Sequence, residues 1–344
     1  MAYSQTSSPE IDSMINKALN ESGIPALTAA VITLDDIQFG IGGTTQINGE
    51  EKVTLKNKFH LGSNSKAITA FIAMKLEEEG KLKLEDKAIE LRPEIKGKIN
   101  EAFVNTSLGD FLSHQAGVQP YTAGAEFLKV ADPEGSLSEQ RAAFSKFVLK
   151  EDAVTKGTYS NAGYAIAAWL MESVAEMSFE DLLDKYFNEL ELEHFLGFPN
   201  KETISNPWGH MDQGQGLTAL PPDHFYQLRP YAAPFGDIAM NIIDYSKFIQ
   251  LNLQGLNETD NFLKAENYKK LHFGFDNYSY GWGNTVINGK KVSSHDGSAG
   301  TYYCHTILIP EAKLAVIIMA NSASQAHVTA IYQLREALII NYLK

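Results

Sequence analysis

Residues 59–71 read FHLGSNSKAITAF, a stretch that carries a hydroxyl and an amine at the start of a helical pattern. Ser63 and Lys66 are three residues apart, a spacing that places both side chains on one helix face with Cβ atoms about 5–6 Å apart. The amine can therefore reach the serine oxygen. The free backbone N–H groups of a helix start also favour negative charge that develops close to Ser63.

The run after Lys66 bears on the protonation state of its amine. It reads AITAFIAM, which is free of charge and typical of a buried helix, so we expect Lys66 to be partly desolvated. A desolvated lysine can be neutral at working pH and can take the proton of a serine nucleophile. A helix cap at Ser63 with a solvated Lys66 would give the same pattern. This stretch alone leaves both interpretations open.

The composition of the 344-residue chain is that of a globular protein and argues against several partners. Hydrophobic residues make up 44% and charged residues 21%, enough for a sizeable core in one large domain or in two. The net charge of −13 argues against nucleic acid or an anionic membrane surface as a partner. The single cysteine, Cys304, excludes an internal disulfide and a cysteine-based metal cluster, and we expect it to be buried.

The sequence shows no segment that we expect to enter a membrane. No run reaches the roughly 18 uninterrupted apolar residues that span a bilayer. The first nine residues, MAYSQTSSP, lack the basic and apolar regions of a signal peptide. These residues leave two alternatives, a cytoplasmic protein or one that has lost a leader.

Hydrophobic periodicity predicts strands towards both ends of the chain and helices between them. Predicted helices cover residues 9–23, 65–79, 107–114, 136–149, 162–176, 178–190, 238–253 and 326–343. Asp237 is the predicted N-cap of the helix over 238–253. Predicted strands cover residues 26–34, 37–45, 278–287, 290–294, 301–309 and 313–320, with a hairpin turn at Asn288-Gly289. Residues 118–135 and 200–237 lack periodicity and are expected to build pocket walls.

This order of elements predicts an α/β fold of the α+β type. We expect one antiparallel sheet built from both chain ends, flanked by the terminal helices, with an all-helical domain inserted. The predicted sheet domain comprises residues 1–62 and 275–344. The predicted helical domain, with its pocket-lining loops, comprises residues 63–274, and the functional site is expected at the interface of the two.

A second polar cluster, Tyr159-Ser160-Asn161, lies just before the helix predicted over 162–176. A phenol held near a neutral lysine can pass protons, and an amide side chain can hydrogen-bond a substrate amide. The same Tyr-x-Asn spacing recurs at Tyr186 and Asn188, in an amphipathic helix where we expect both polar groups to face solvent. The loop position favours the first copy as the functional one.

A third polar cluster, His295-Asp296-Gly297, closes a predicted strand. The glycine lets a substrate backbone approach the sheet edge, and the N–H that follows can join that of Ser63 in an oxyanion hole. Asp296 is expected to point away from the pocket, because neighbouring strand residues alternate between faces. A competing His-x-Gly begins at His272, but it follows a helical stretch and is interpreted as a helix end.

Together the three clusters resemble the motifs of a known family. SNSK at 63–66, YSN at 159–161 and HDG at 295–297, in that order, resemble the three motifs of the penicillin-recognising serine hydrolases, specifically the class C β-lactamase-like group. DFLSHQAG at 110–117 and APFGDIA at 233–239 resemble two weaker signatures of the same group. The resemblance covers nearly the whole chain and implies a β-lactamase/transpeptidase-like fold.

The resemblance also implies an acyl-enzyme mechanism that needs no metal or other cofactor. Ser63 would attack a carbonyl with Lys66 as base and Tyr159 as proton relay, and water would then release the acyl group. The backbone N–H groups of Ser63 and Ser298 would hold the oxyanion. The substrate-binding residues would be Asn161, His295, Gly297 and Gln115.

The third motif departs from the family pattern in a way that bears on the substrate. Typical β-lactamases of this group have Lys-Thr-Gly there, so a permanent cation suited to a carboxylate is replaced by His295. Histidine at this position resembles the peptidases and esterases of the group. We therefore expect hydrolysis of small amides, peptides or esters, including peptides with D-residues, and at most slow opening of β-lactams.

Other functions stay open at this stage. One is a β-lactamase proper, and another is a penicillin-binding protein that is acylated without efficient turnover. A metal-dependent hydrolase is a third, although the sequence has no His-Glu-x-x-His pattern. The expected partner is a small-molecule or peptide substrate, and the oligomeric state is not predicted. The resemblance implies a periplasmic or secreted location, with the cytoplasm as the alternative.

Overall fold

The computed structural model describes residues 6–130, 133–212, 214 and 216–343. Its strands are β1 (Ala26–Ile32), β2 (Ile37–Gly43), β3 (Lys58–His60), β4 (Phe195–Leu196), β5 (His210–Asp212), β6 (Leu217–Ala219), β7 (Ile238–Asn241), β8 (Gly283–Ile287), β9 (Lys290–Ser298), β10 (Tyr303–Ile309) and β11 (Leu314–Ala320). Its helices are α1 (Pro9–Ser22), α2 (Ser65–Glu78), α3 (Ala88–Leu91), α4 (Leu108–Leu112), α5 (Leu137–Val148), α6 (Asn161–Ala175), α7 (Phe179–Glu189), α8 (Ala233–Gly236), α9 (Ile242–Leu256), α10 (Ala265–Phe273) and α11 (Gln325–Tyr342).

The main sheet is antiparallel and has the strand order β2-β1-β11-β10-β9-β8. Strand β1 pairs with β11 in a register that places Leu27 opposite Ala320 and Ala30 opposite Ile317, which joins the two ends of the chain. Every residue of β1 and β11 is buried, because these central strands are covered on both faces. The predicted antiparallel sheet built from both chain ends is confirmed.

Helices pack on both faces of this sheet and create two cores. On one face α1 and α11 bury Ile11, Ile331 and Leu338 against the central strands. On the other face the inserted helices form a larger core, in which Phe71 of α2 packs edge-on against Phe248 of α9. The expected terminal helices that flank the sheet are therefore present. The first two polar motifs lie at the starts of two helices of the larger core, α2 and α6.

The inserted segment is mainly helical but also contains short strands. Strands β3, β7 and β4 form a small sheet, and β5 pairs with β6. Strands of two to four residues are too short to show a period in the sequence, so the expectation of an all-helical insert was incomplete. The predicted boundaries between two domains, at 62/63 and 274/275, stay a prediction.

None of the helices in the described part of the chain combines bilayer-spanning length with sufficient hydrophobicity.

Asp237 is not the N-cap of a helix, contrary to the prediction. Helix α9 begins at Ile242, and its N-cap is Asn241, whose side chain accepts a hydrogen bond from the backbone N–H of Asp244 at 2.8 Å. Residues 238–241 instead pair with β3 as strand β7. Their apolar run fits a buried strand as well as a helix, so periodicity could not separate the two.

Two further expectations are corrected by the packing. Tyr186 is buried on α7 rather than solvent-facing, because it extends the apolar stripe formed by Leu182 and Leu183, whereas Asn188 is exposed as expected. The strand predicted from residue 278 begins only at Gly283. The hairpin after it is confirmed, with φ of +50° and +78° at the two turn residues 288 and 289.

Candidate active site

Ser63 lies in a tight turn between strand β3 and helix α2. Gly62 before it has φ +53°, a left-handed conformation that glycine adopts without strain. The Ser65 hydroxyl donates to the Gly62 carbonyl at 2.8 Å, and the Asn64 amide donates to the Cys304 carbonyl of β10 at 2.9 Å. The first bond closes the turn, and the second attaches it to the main sheet. Together they fix the position of Ser63.

Lys66 is fully buried in the first turn of α2, as the apolar run after it predicted. Its Nζ lies 2.6 Å from Asn161 Oδ1, 2.7 Å from the Phe235 carbonyl oxygen and 3.2 Å from Ser63 Oγ. Burial lowers the pKa of this amine well below its ordinary value. The interpretation of Ser63 as a helix cap beside a solvated lysine therefore does not fit this geometry.

The partners of Lys66 determine how a neutral amine would be oriented. Such an amine has two N–H donors and one lone pair, whereas the oxygens of Asn161 and Phe235 can only accept. Both donors are therefore directed to those two oxygens, and the lone pair is left for the Ser63 hydroxyl. In that orientation Lys66 is ready to receive the serine proton.

Tyr159 lies beside this pair, within hydrogen-bonding reach of the Ser63 side chain. Lys66 Nζ is 4.7 Å from the centroid of its ring. Burial raises the pKa of the phenol above its ordinary value, although the Ser63 contact opposes the shift. Tyr159 is therefore protonated before reaction and can donate a proton to a leaving group.

The third motif reaches the same place from the end of strand β9. His295 is buried, with Nδ1 2.8 Å from the Asp296 carbonyl oxygen and Nε2 3.2 Å from the Tyr278 hydroxyl. The contacts assign the proton to Nδ1, so Nε2 accepts from Tyr278. Burial, and secondarily the charge of Lys66, lower the pKa of His295 to about 4. It is therefore neutral at physiological pH and supplies no cation.

The backbones of the first and third motifs are in direct contact. A Cβ atom at Gly297 would lie 1.9 Å from the Leu61 carbonyl oxygen, and one at Gly62 would lie 2.4 Å from the Ser298 nitrogen. Neither position can carry a side chain without displacing backbone. This close approach brings the N–H groups of Ser63 and Ser298 into one region, where they could bind an oxyanion.

Asp296 points to the opposite face of the sheet, as strand alternation predicted. Its Oδ1 lies 2.7 Å from His305 Nδ1, and its Oδ2 accepts a hydrogen bond from the Tyr332 hydroxyl at 2.9 Å. Cys304 is buried and free. The carboxylate of Asp296 therefore lies on the face of the sheet opposite to Ser63.

An open cavity of about 800 Å³ begins at Ser63. Asn161 and Ser298 line it beside Ser63. Its other walls come from residues within 122–127, 133–140, 225–236 and 299–300, which include the aromatic side chains of Phe127, Phe225, Tyr226, Tyr231 and Phe235. The predicted wall segments 118–135 and 200–237 therefore both contribute to the cavity. Residues 131, 132, 213 and 215 of those segments lie outside the described residues.

The structure brings most of the predicted site residues together and leaves one outside. Gln115 is half-buried after α4 and is not among the residues that line the cavity. The ring of the adjacent His114 lies 4.4 Å from that of Tyr159. Both residues lie in the segment that resembled a family signature. The substrate-binding role expected of Gln115 stays a prediction.

Sequence reasoning also missed a histidine–carboxylate pair behind the nucleophile. His60 Nε2 lies 2.9 Å from Asp237 Oδ1, and His60 Nδ1 accepts the backbone N–H of Gly62 at 3.2 Å. Both residues occur in motifs quoted above, but they are 177 positions apart in the chain. A single sequence gives no signal that two such distant residues touch.

Known proteins resemble this chain in sequence and in fold. The chain is 21% identical over 329 residues to Protein flp of Staphylococcus aureus, an alignment that covers 93% of this chain but only 64% of the relative's length. It is 22% identical to penicillin-binding protein 4 of Amycolatopsis lactamdurans, covering 88% of this chain and 82% of that protein. The fold resembles that of a class C beta-lactamase from Rhodobacter sphaeroides, with a TM-score of 0.75, 18% identity and coverage of 96% and 100%.

The sequence profile described as Beta-lactamase matches residues 11–339, from the first helix to the last. This range contains the serine–lysine pair, the tyrosine motif and the histidine–glycine strand end in one alignment. The chain belongs to the beta-lactamase family.

Proposed function

We propose that the protein is a serine acyl hydrolase that forms an acyl-enzyme on Ser63. The observation that carries the proposal is the buried Lys66 amine, which lies 3.2 Å from Ser63 Oγ, 2.6 Å from Asn161 Oδ1 and 2.7 Å from the Phe235 carbonyl oxygen. This arrangement activates the serine without the histidine of a classical triad. Membership of the beta-lactamase family supports the same chemistry.

In the proposed acylation step, Lys66 takes the proton of Ser63 while Oγ attacks the substrate carbonyl carbon. The carbonyl oxygen becomes an oxyanion bound by the N–H groups of Ser63 and Ser298. When the bond to the leaving group breaks, Tyr159 gives its proton to the leaving nitrogen or oxygen and regains one from Lys66. The acyl group then remains as an ester on Ser63.

Deacylation repeats these steps with water as the nucleophile. Tyr159 and Lys66 take a proton from the water as it attacks the ester carbonyl, and the bond from the acyl carbon to Ser63 Oγ breaks. Oγ recovers the proton, and the acid product leaves. Asn161 and the edge of strand β9 near Gly297 would orient the substrate, since pairing with β8 ends at Ser294.

We propose small neutral amides, peptides or esters as the substrates, including peptides with D-residues, in preference to β-lactams. The support is His295, which is buried and neutral where a permanent cation would attract the carboxylate of a penicillin. The aromatic walls of the cavity add apolar contact area for groups next to the scissile bond. The periplasmic or secreted location implied by the resemblance stays a prediction.

The test is intact-mass spectrometry of the wild-type protein and of Ser63→Ala after exposure to a fluorophosphonate and to a penicillin. We expect one fluorophosphonate adduct on the wild type, none on the variant, and slower adduct formation with penicillin. Steady-state hydrolysis of nitrophenyl esters, D-alanyl peptides and a chromogenic cephalosporin completes the comparison. A fluorophosphonate adduct on Ser63→Ala, or cephalosporin turnover equal to that of the best ester, would contradict the proposal.

A second candidate is a penicillin-binding protein that is acylated and holds the acyl group. It is favoured by the similarity to penicillin-binding protein 4 of A. lactamdurans. A burst of one product equivalent followed by negligible turnover, on esters and on penicillin alike, would establish this candidate instead. Sustained turnover on an ester would reject it.

A further inference from the structure

We propose that His114 is a positioning residue that holds the Tyr159 phenol against Ser63 and couples the second motif to the third. This inference rests on the proposed serine acyl transfer. Gln115, the neighbour suggested by the sequence, makes no comparable contact among the described residues.

The first support is the way His114 binds the segment that carries Tyr159. Its carbonyl oxygen accepts the N–H of Gly157 at 2.9 Å, and its ring Nδ1 accepts the N–H of Ser160 at 3.2 Å. These bonds lie on the two sides of Tyr159 in the chain. One residue thus fixes the backbone before and after the phenol.

The second support is the packing of the imidazole. Its centroid lies 4.4 Å from the ring of Tyr159 and 4.4 Å from the ring of Tyr278. Tyr278 in turn bonds His295 Nε2 at 3.2 Å. A continuous set of contacts therefore runs from the proton relay of the second motif, through His114 and Tyr278, to the histidine of the third motif.

The third support is that a histidine at position 114 lowers the stability of the fold. His114 has φ +60°, a left-handed conformation that is uncommon for residues other than glycine, and it is 4% exposed. Because Nδ1 accepts from Ser160, the ring proton lies on Nε2, which has no hydrogen-bond partner in the described structure. A buried N–H without a partner destabilises a protein. Packing alone would be served better by an apolar ring.

Burial also keeps this imidazole uncharged. Desolvation by burial lowers the pKa of His114 well below its ordinary value. The ring can therefore lie close to Lys66 without adding a second cation that would disfavour proton uptake by the amine.

The experiment compares acylation of the wild type with that of His114→Asn and His114→Phe, using a fluorophosphonate and a nitrophenyl ester. Asparagine tolerates the left-handed backbone and retains a hydrogen-bond acceptor, whereas phenylalanine retains the ring contacts without the acceptor. We expect each variant to lose about 10–100-fold in kcat, since small displacements of a reacting group cost about that much. KM is expected to change less than threefold. A large fall in kcat with a nearly constant KM is not what a loss of stability would produce in molecules that remain folded.

His327→Phe is the matched control. This histidine is also buried, at 5% exposure, and its Nδ1 lies 2.8 Å from the Ser322 hydroxyl, but it belongs to α11 on the other face of the sheet. We expect it to lose thermal stability and to keep the wild-type acylation rate. If His114→Phe fails to fold, His114→Asn decides the matter.

The outcomes separate this inference from the function on which it depends. If wild-type protein forms no adduct that requires Ser63, the proposed function fails first. If wild type is acylated on Ser63 and a folded His114 variant keeps its kcat within twofold, the positioning role alone is overturned.

Discussion

Lys66 is a group whose proton affinity depends on the fold. The unfolded chain binds its proton with the ordinary pKa near 10.5, whereas the folded protein holds the amine buried with a lowered pKa. Between the two pKa values the unfolded state carries more protons than the folded state, so the free energy of unfolding contributed by Lys66 rises with pH. A buried lysine is therefore kept at a cost in stability at neutral pH.

Lys66→Met tests this relation. We expect acylation to fall by about 10²–10⁴-fold, the usual effect of removing a general base. We also expect the melting temperature of the variant, relative to wild type, to improve as the pH falls from about 10 towards 7, because only the wild type must keep an amine deprotonated. Thermal melts at several pH values and adduct kinetics check both parts. A relative melting temperature that falls over the same pH range would contradict the sign.

At the level of single residues, the sequence predicted that Ser63, Lys66 and Tyr159 lie together, but not all of their neighbours. Ser63, Lys66 and Tyr159 were recognisable because each lies in a short local pattern. His114 was not selected, because the contacts of its ring with Tyr159 and Tyr278 depend on the left-handed turn after α4. A local conformation of that kind has no clear sequence signature.

At the level of elements, the nucleophile turn depends on a strand that the sequence did not predict. Strand β7 pairs with β3 and positions Asp237 beside His60. The carboxylate fixes the tautomer of this histidine, whose other nitrogen accepts the Gly62 N–H. The orientation of the turn that presents Ser63 therefore depends on two small strands from distant parts of the chain.

Asp237→Ala is expected to lower both stability and activity. Loss of the partner of a buried histidine should reduce the free energy of unfolding by about 1–3 kcal/mol. We also expect acylation to slow by about tenfold, because the Gly62 N–H loses a fixed acceptor and the oxyanion donor that follows it becomes less well placed. Chemical denaturation and adduct kinetics measure the two effects.

Glu258→Ala is the control for this pair. Glu258 forms an ion pair with Lys269 in which both side chains are solvent-exposed, so its removal should change stability by no more than about 0.5 kcal/mol. Acylation should be unchanged. Equal acylation rates in Asp237→Ala and Glu258→Ala would show that the buried pair has no influence on the turn.

The long helices could be predicted from the sequence, whereas the shortest strands could not. Helices α5 and α7 start after Ser136 and Ser178, whose hydroxyls accept N–H groups of the first turn, and their periodic stripes span eleven or more residues. The four residues of β7 and the two of β4 carry no period of their own. Their strand conformation depends on pairing partners that are remote in the chain.

At the scale of the whole molecule, the main sheet separates two hydrophobic cores, and only one of them lies beside the candidate site. The core beneath α1 and α11 contributes stability, while the site lies on the side of the inserted helices. Changes in the first core should therefore alter the fraction of folded protein without altering the chemistry of the folded molecules.

Leu338→Ala tests that separation. Leu338 is completely buried in the core beneath α11, so its truncation should cost about 2–5 kcal/mol of folding free energy. At temperatures well below the new melting point we expect the acylation rate per folded molecule to equal that of wild type. Active-site titration combined with circular dichroism provides the comparison. A lower rate in fully folded protein would show that the two cores are mechanically coupled.

The pairing of β1 with β11 has a consequence for biosynthesis. The Ala26 N–H bonds the side chain of Asn321, 295 positions later, and β1 pairs with β11, so the edge of β1 opposite β2 has no strand partner until β11 has left the ribosome. Contacts of such long range form slowly. During translation the nascent β1–β2 hairpin must therefore wait with one edge unpaired.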